Sequence, residues 1–566
     1  MKITKKMTKT TRTTRFTSIA KQAGVALLAL LLAVSCVSCG ASGAENAEMS
    51  PEWEWNDSYS DKSAVQGKPS QIPATGEVFD EMTEVFDEMT EGVMEAPAEE
   101  GVPETEMVKA EDVETDANAP VTVENPFIST TVSNVSTFSA DVDTASYAYF
   151  RKLVNSGYSL KELTYSGTAF RTEEFINYFK YDVATPAEGE LFGVTTEITP
   201  CPWNEETVLL RLTLQAEKAK SVAGNNLVFL IDVSGSMSSA DKLPLLKKAF
   251  SYLVGNLGEN DVVSIVTYSG KEAVVLDGCQ GSKGEMILKA INSLEASGST
   301  NGEAGLTKAY QLAEANYIEG GNNRIIMASD GDLNVGISTK DELISYIEEK
   351  RDQGVYLSVL GFGTGNYKDN KMEALADNGN GVYYYIDGES EAERVMGTDI
   401  FGTLYTVAED VKLQLTFSKE RVEAYRLIGY ENRMLNEEDF EDDTKDAGEV
   451  GASHQVTVCY ELKLRSVAET EDLIVTLAVR YKHPGEPISM LNEYPLGDEI
   501  RFDSADEDMR FLTAVIETCM ILRQSQYLGG VTIDGVLDEL HSLDLSAYPE
   551  REEFRELVKT LAQRKG

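Results

Sequence analysis

Positive charge, histidine and clustered cysteine are what this 566-residue chain has least of. Its 95 acidic residues face only 50 basic ones, for a formal charge of −45. Such an acidic chain excludes nucleic-acid phosphate as a main partner, because that binding rests on Lys and Arg neutralising phosphates. Cations are favoured at its surface instead. The three histidines, His454, His483 and His541, lie far apart in the sequence. No His-Glu-x-x-His, Walker loop or Gly-x-Ser-x-Gly elbow occurs, which removes the usual zinc-protease, nucleotidase and serine-hydrolase arrangements. Each histidine therefore reads as structural. Of six cysteines, Cys201, Cys279, Cys459 and Cys519 are widely scattered and show no CxxC spacing among themselves. That excludes a cysteine metal cage and a dense disulfide framework. One disulfide among these four and a set of buried free thiols are both open.

Long apolar runs are scarce as well. The run Ala23–Val34 follows a stretch, residues 1–22, with seven Lys or Arg and no acid. A basic segment and then an apolar run too short to span a bilayer is the layout of a secretory signal. The run closes on Leu32-Ala-Val-Ser-Cys36, with Cys39 three positions on. Small residues before a cysteine resemble a bacterial lipobox. The resemblance implies a signal over residues 1–35, lipidation at Cys36 (Cys39 is the second choice) and anchorage on the outer face of a bacterial cytoplasmic membrane or in the envelope. An ordinary cleaved signal is the alternative.

Residues 36–124 read as an acidic tether. Between 40 and 124 there are 17 Glu and 6 Asp against 3 Lys, so the segment buries too little apolar surface to offset its ordering entropy. It contains a perfect duplication, Glu77–Thr83 and Glu84–Thr90. Two heptads are too few for a stable coiled coil, so a spacer is the simpler reading than a docking helix.

Three ordered regions follow. Residues 125–222 read as a small α+β domain. In it Asp143 or Thr144 is placed to cap a helix, and Asp141 with Asp143 offers a less common alternative, a second cation site. Residues 223–405 alternate strand and helix: apolar runs at 227–231, 261–268, 324–328 and 355–360, with helices near 302–318 and 339–353. Leu243, Leu246, Phe250, Leu253 and Leu257 step by three and four along one helix face. This alternation predicts a doubly wound, mostly parallel α/β sheet. Residues 406–566 switch to period two, predicting a β-sandwich, and return to helical period after 505.

The chemistry concentrates at Asp232-Val-Ser234-Gly-Ser236. An apolar strand runs into three hard oxygen donors within five residues, at the strand end where open α/β sheets place ligands. Gly235 permits a tight turn. Hydroxyls and carboxylates suit Mg²⁺, and also Mn²⁺ or Ca²⁺. The five-residue pattern alone is weak. Two further pieces sharpen it: Gly298-Ser-Thr300-Asn-Gly302 lies in a loop before a helix, and Ser329-Asp330-Gly331 follows a strand directly. Both fall on the same sheet edge as Asp232.

Together these motifs resemble the von Willebrand factor type A domain, a Rossmann-like fold. Its metal-ion-dependent adhesion site combines an Asp-x-Ser-x-Ser loop with a later Thr and a later Asp. The resemblance implies Asp232, Ser234, Ser236, Thr300 and Asp330 as metal-site positions. It also implies an open coordination position that takes a carboxylate from a partner, and a C-terminal helix over 389–405 able to shift. Further segments, Ser136–Tyr147, Phe175–Phe179, Cys201–Asn204, Tyr425–Arg433 and Asp446–Glu449, are similar to a largely uncharacterised bacterial lipoprotein family. That family sets a type A domain between its own N- and C-terminal domains. Gly451-Ala-Ser453-His454 stands where it implies a Gly-Ala-Gly-His turn. The expected function is adhesion to a protein or cell-wall ligand bearing a carboxylate. The alternatives are an envelope scaffold whose partners dock on the flanking domains and, less favoured, a metal-dependent envelope enzyme.

Overall fold

A computed structural model describes residues 123–165, 170–219, 223–298, 302–331, 340–363, 369–465, 473–497 and 505–566. The signal, both candidate lipidation cysteines, the tether up to residue 122 with its duplication, and Thr300 lie outside the described residues. No helix among the described residues is long and apolar enough to cross a membrane.

The six-stranded sheet at the centre runs in the order 383–386, 356–362, 322–329, 225–232, 262–268, 272–280. Its first five strands are parallel. The last, 272–280, returns antiparallel beside 262–268. Asn225–Asp232 is buried along its whole length, as a strand covered on both faces should be. Successive side chains alternate between two cores. Val228 and Leu230 pack toward Leu306, Tyr310 and Ile347. Leu227, Phe229 and Ile231 pack toward the helix Leu243–Val254, where the rings of Phe229 and Phe250 stack at 4.2 Å. Gly305 lets the helix Gly302–Ala315 lie close on the sheet: a Cβ there would sit 2.8 Å from Tyr268 Cβ.

The flanking regions are interleaved, where the sequence separates 125–222 from 406–566. One antiparallel sheet has the strand order 128–129, 422–428, 455–464, 208–216, 192–200. The other runs 434–435, 135–139, 406–417, 475–482, 490–496. Each therefore takes strands from both sides of the α/β domain. Their facing sides meet in one core that includes Phe138, Leu212, Leu415, Phe417 and Tyr460. The helices share in the same way: Tyr147, Phe175 and Phe179 from the N-terminal side join Phe511 and Phe554 from the C-terminal side. Alternation in sequence marks a strand but not the neighbour it will pair with, so the shared sheets escape a local reading.

Arg151, on the N-terminal helix Ala145–Asn155, joins three segments. Its guanidinium forks onto Asp387 at 2.6 and 2.8 Å, and reaches Glu391 at 2.8 Å, Tyr178 Oη at 2.7 Å and Glu553 at 3.0 Å. Asp387 and Glu391 belong to the α/β domain's last turn and Glu553 to the C-terminal helix. The helix expected over 389–405 is broken here. It consists of an α-helical turn Glu389–Glu393, a π-helical turn Arg394–Thr398 and a second α-helical turn Ile400–Leu404. Arg394 pairs with both Glu391 and Asp399 across the break.

Two predictions follow from this packing. Arg151→Met would strand Asp387 as a buried carboxylate and leave Glu391 to Arg394 and Tyr178. Breaking such a pair costs about 3–5 kcal/mol, to be read as a fall in the urea midpoint; an unchanged midpoint would show the node to be dispensable. Ser453 sits at φ 63°, the left-handed region that glycine adopts freely. Ser453→Gly should therefore stabilise the fold by about 1 kcal/mol, and a lower melting temperature would contradict that.

Candidate metal centre

The strands Asn225–Asp232 and Asn322–Ser329 are parallel neighbours, with Ile231 opposite Ala328. Their carboxyl ends therefore deliver Asp232 and Asp330 side by side. Asp232 is fully buried. Its Oδ1 accepts the Ser234 N–H at 2.8 Å, and its Oδ2 accepts the Ser329 hydroxyl at 3.3 Å. Ser234 and Ser236 bring their hydroxyl oxygens within 3.0 Å of each other. Ser234 is buried, whereas Ser236 is exposed, so the pair bridges interior and solvent. Ser236 lies within one 3₁₀ turn, Gly235–Ser238, that follows Ser234; the helix starts only at Leu243.

Backbone hydrogen bonds fasten this loop to its neighbours. Val233 N–H donates to the Tyr268 carbonyl at 3.0 Å, Ser297 N–H to the Val233 carbonyl at 2.7 Å, and Gly235 N–H to the Gly298 carbonyl at 3.0 Å. The described end of the 293–298 loop is thus zipped to the Asp-x-Ser-x-Ser loop. Thr300 itself is outside the described residues, so the structure brings together four of the five expected positions.

The charge balance of the site is uneven. Burial raises the Asp232 carboxyl to about 6; hydrogen bonds from Ser234 and Ser329 oppose that shift, and the charge of Asp330 adds to it. Asp330, also buried, has its Oδ2 2.9 Å from the ammonium of Lys242. Sequence reasoning missed Lys242, because nothing local distinguishes it from any lysine before a helix. Two buried carboxylates with hydroxyls converging beside them are the donor chemistry of a hard divalent cation. Among the described residues no three His, Cys, Asp or Glu side chains gather into a metal cage, so any cation held here depends on those hydroxyls.

Other candidate residues resolve differently. Asp143 does not cap the helix at 145; its Oδ1 accepts the Tyr383 N–H at 3.0 Å, covering the sheet's edge strand. Ser146 N–H is met by Glu174 instead, at 2.6 Å. The space between Asp141 and Asp143 is taken by Arg433, 3.4 Å from each and 3.0 Å from both Glu373 and Asp377. A guanidinium thus occupies the position proposed for a second cation. Cys201, Cys279, Cys459 and Cys519 are all free and buried. His454 is buried, and burial, reinforced by Lys180, lowers it to about 3, so it stays neutral.

Three family models match the chain. The von Willebrand factor type A domain model covers residues 226–397, a von Willebrand factor model covers 114–211, and the model described as uncharacterized protein YfbK, C-terminal, covers 402–563. Over 436 residues the chain is 41% identical to uncharacterized protein YfbK of Escherichia coli, spanning 72% of this chain and 74% of that one. The chain belongs to the YfbK family of von Willebrand factor type A domain proteins.

Other likenesses are weaker or cover less of the chain. Human inter-alpha-trypsin inhibitor heavy chain H3 is 27% identical over 186 residues, which is 31% of this chain and 21% of that one. Among solved structures, a von Willebrand factor type A protein from Catenulispora acidiphila is 15% identical, with a TM-score of 0.37, over 68% of this chain and 89% of that one.

The raised Asp232 carboxyl makes a signed prediction for metal-stripped protein. Its ordinary value is 3.8 and its folded value about 6. Between these the folded state holds a proton that the unfolded chain has lost. The contribution of Asp232 to stability therefore falls as pH rises through this window, by about 2–3 kcal/mol in all. Asp232→Asn removes that slope. Melts in EDTA should show the variant gaining on wild type from pH 4 to pH 6.5; a constant difference would refute the assignment.

Proposed function

We propose that the chain is a divalent-cation-dependent binding module, tethered outside the cell by a lipid on Cys36. Asp232, Ser234, Ser236 and Asp330, with Thr300 from the adjoining loop, would hold Mg²⁺, Mn²⁺ or Ca²⁺. With neutral hydroxyls as its direct ligands and the carboxylates acting through water, such a cation keeps positive charge, so an open coordination position attracts an acidic group on a protein or cell-wall partner. The observation that carries this reading is the convergence of two buried carboxylates and two hydroxyls at the ends of neighbouring parallel strands. Membership of a type A domain family supports it. A site of hydroxyls with one open position suits ligation better than water activation, so we infer binding rather than catalysis.

The test uses metal-stripped full-length protein. Adding Mg²⁺ or Mn²⁺ should raise the melting temperature, with stabilisation of about 2.7 kcal/mol at one hundred times Kd. EDTA should reverse it, and Asp232→Ala should abolish it. Capture of envelope proteins should follow the same pattern. Capture that survives both EDTA and Asp232→Ala would refute adhesion through the metal and favour partners on the sandwich. Turnover of an envelope polymer that Asp232→Ala abolishes would favour an enzyme.

A further inference from the structure

Lys242 is the last residue before the helix Leu243–Val254. Its N–H donates to the Ser239 carbonyl at 3.1 Å, and its carbonyl accepts the Leu246 N–H at 2.8 Å. The backbone is thus fixed at the end of the same loop that carries Ser234 and Ser236. The side chain then runs past Gly363, which follows the neighbouring sheet strand Tyr356–Phe362. Gly363 has φ +77°, and a Cβ there would lie 2.3 Å from Lys242 Cε and 2.9 Å from its Cγ. Any side chain there would crowd the stem where it now lies. The Tyr385 hydroxyl, donating to the Gly363 carbonyl at 2.7 Å, holds the slot in place. At its far end the ammonium meets Asp330 Oδ2 at 2.9 Å, with Lys242 only 13% exposed and Asp330 not exposed at all.

A lysine led through a glycine slot onto a buried carboxylate of the site is more than a surface charge. Two cations contending for one carboxylate repel each other, and in a low-dielectric pocket that repulsion is many times its value in water. Lysine is suited to yielding: its charge is a compact point on a flexible four-carbon stem.

We propose that Lys242 is an internal counter-ion of the site, which a divalent cation must displace from Asp330 in order to bind. The lysine thereby sets the metal concentration at which the site loads. It offsets the charge of Asp330 in the metal-free site and places a loading threshold on the partner-binding form. This rests on the metal-site reading above and extends it with a residue outside the five-position pattern.

The experiment titrates Mn²⁺ into metal-stripped full-length protein by calorimetry, for wild type, Lys242→Met, Lys242→Gln and Asp232→Ala. Met keeps the stem and removes the charge; Gln is the alternative should Met impair folding. Either neutral variant should bind Mn²⁺ at least tenfold more tightly than wild type, while Asp232→Ala should not bind. A second measurement needs no Lys242 variant: amine acetylation of wild type, read by mass spectrometry, should label Lys242 at least threefold faster with saturating Mn²⁺ than in EDTA. Equal or weaker Mn²⁺ affinity in the neutral variants, or unchanged labelling while Mn²⁺ binds, would overturn the counter-ion role and leave the metal site standing. Failure of wild type and both neutral variants to bind Mn²⁺ would overturn the metal site itself.

Discussion

An acidic chain that folds around its own carboxylates must give each buried one a cation, a proton or dense hydrogen bonds. Taking a charge out of water is otherwise too costly. Arginine meets this demand at the joints between segments: Arg151 serves Asp387, Glu391 and Glu553, and Arg433 serves Asp141, Asp143, Glu373 and Asp377. A proton is the alternative at Glu173, which burial raises to about 7. The end of the central sheet differs. Among the described residues Lys242 is the cation that meets the two buried carboxylates there, through Asp330, and of the hydroxyls beside them that of Ser236 belongs to an exposed residue. In this fold the shortage of positive charge falls where a ligand cation would enter.

Much of the α/β domain was legible because its signals are local. The apolar run Leu227–Ile231 marked a strand covered on both faces, and the stride from Leu243 to Leu253 marked the helix packed on it. The metal motif was legible for a related reason: a strand's direction fixes which end its following residues occupy, so Asp232 and Asp330 could be placed on one edge before their distance was known. The antiparallel strand Glu272–Gln280 was not read, since it is largely exposed and its apolar residues Ala273–Leu276 run together instead of alternating.

What sequence could not show is non-local. Asp141 and Asp143 form a plausible cation pair until Arg433, almost three hundred positions later, is seen between them. Lys242 gains its meaning only from Asp330 and Gly363, which belong to other strands. The turn at Ser453 lies between these cases. The resemblance marked it as a departure from glycine, and the positive φ shows why glycine would suit that position.

The interleaved sheets constrain how the chain can be made. The strand Val135–Ser139 finds its partner in Thr406–Phe417, with Thr137 and Gln414 bonded across 277 positions. A ribosome emitting this chain from its amino end releases a strand whose mate is not yet synthesised. The α/β domain need not wait: its first strand is bonded to the residue after its last helix, Asn225 Nδ2 to Tyr405 Oη at 2.9 Å. It forms a closed excursion that can complete itself while the earlier strands are still unpaired. During that interval the apolar edge around Phe138 is uncovered, and the finished domain beside it brings the two halves of the sandwich within reach of each other.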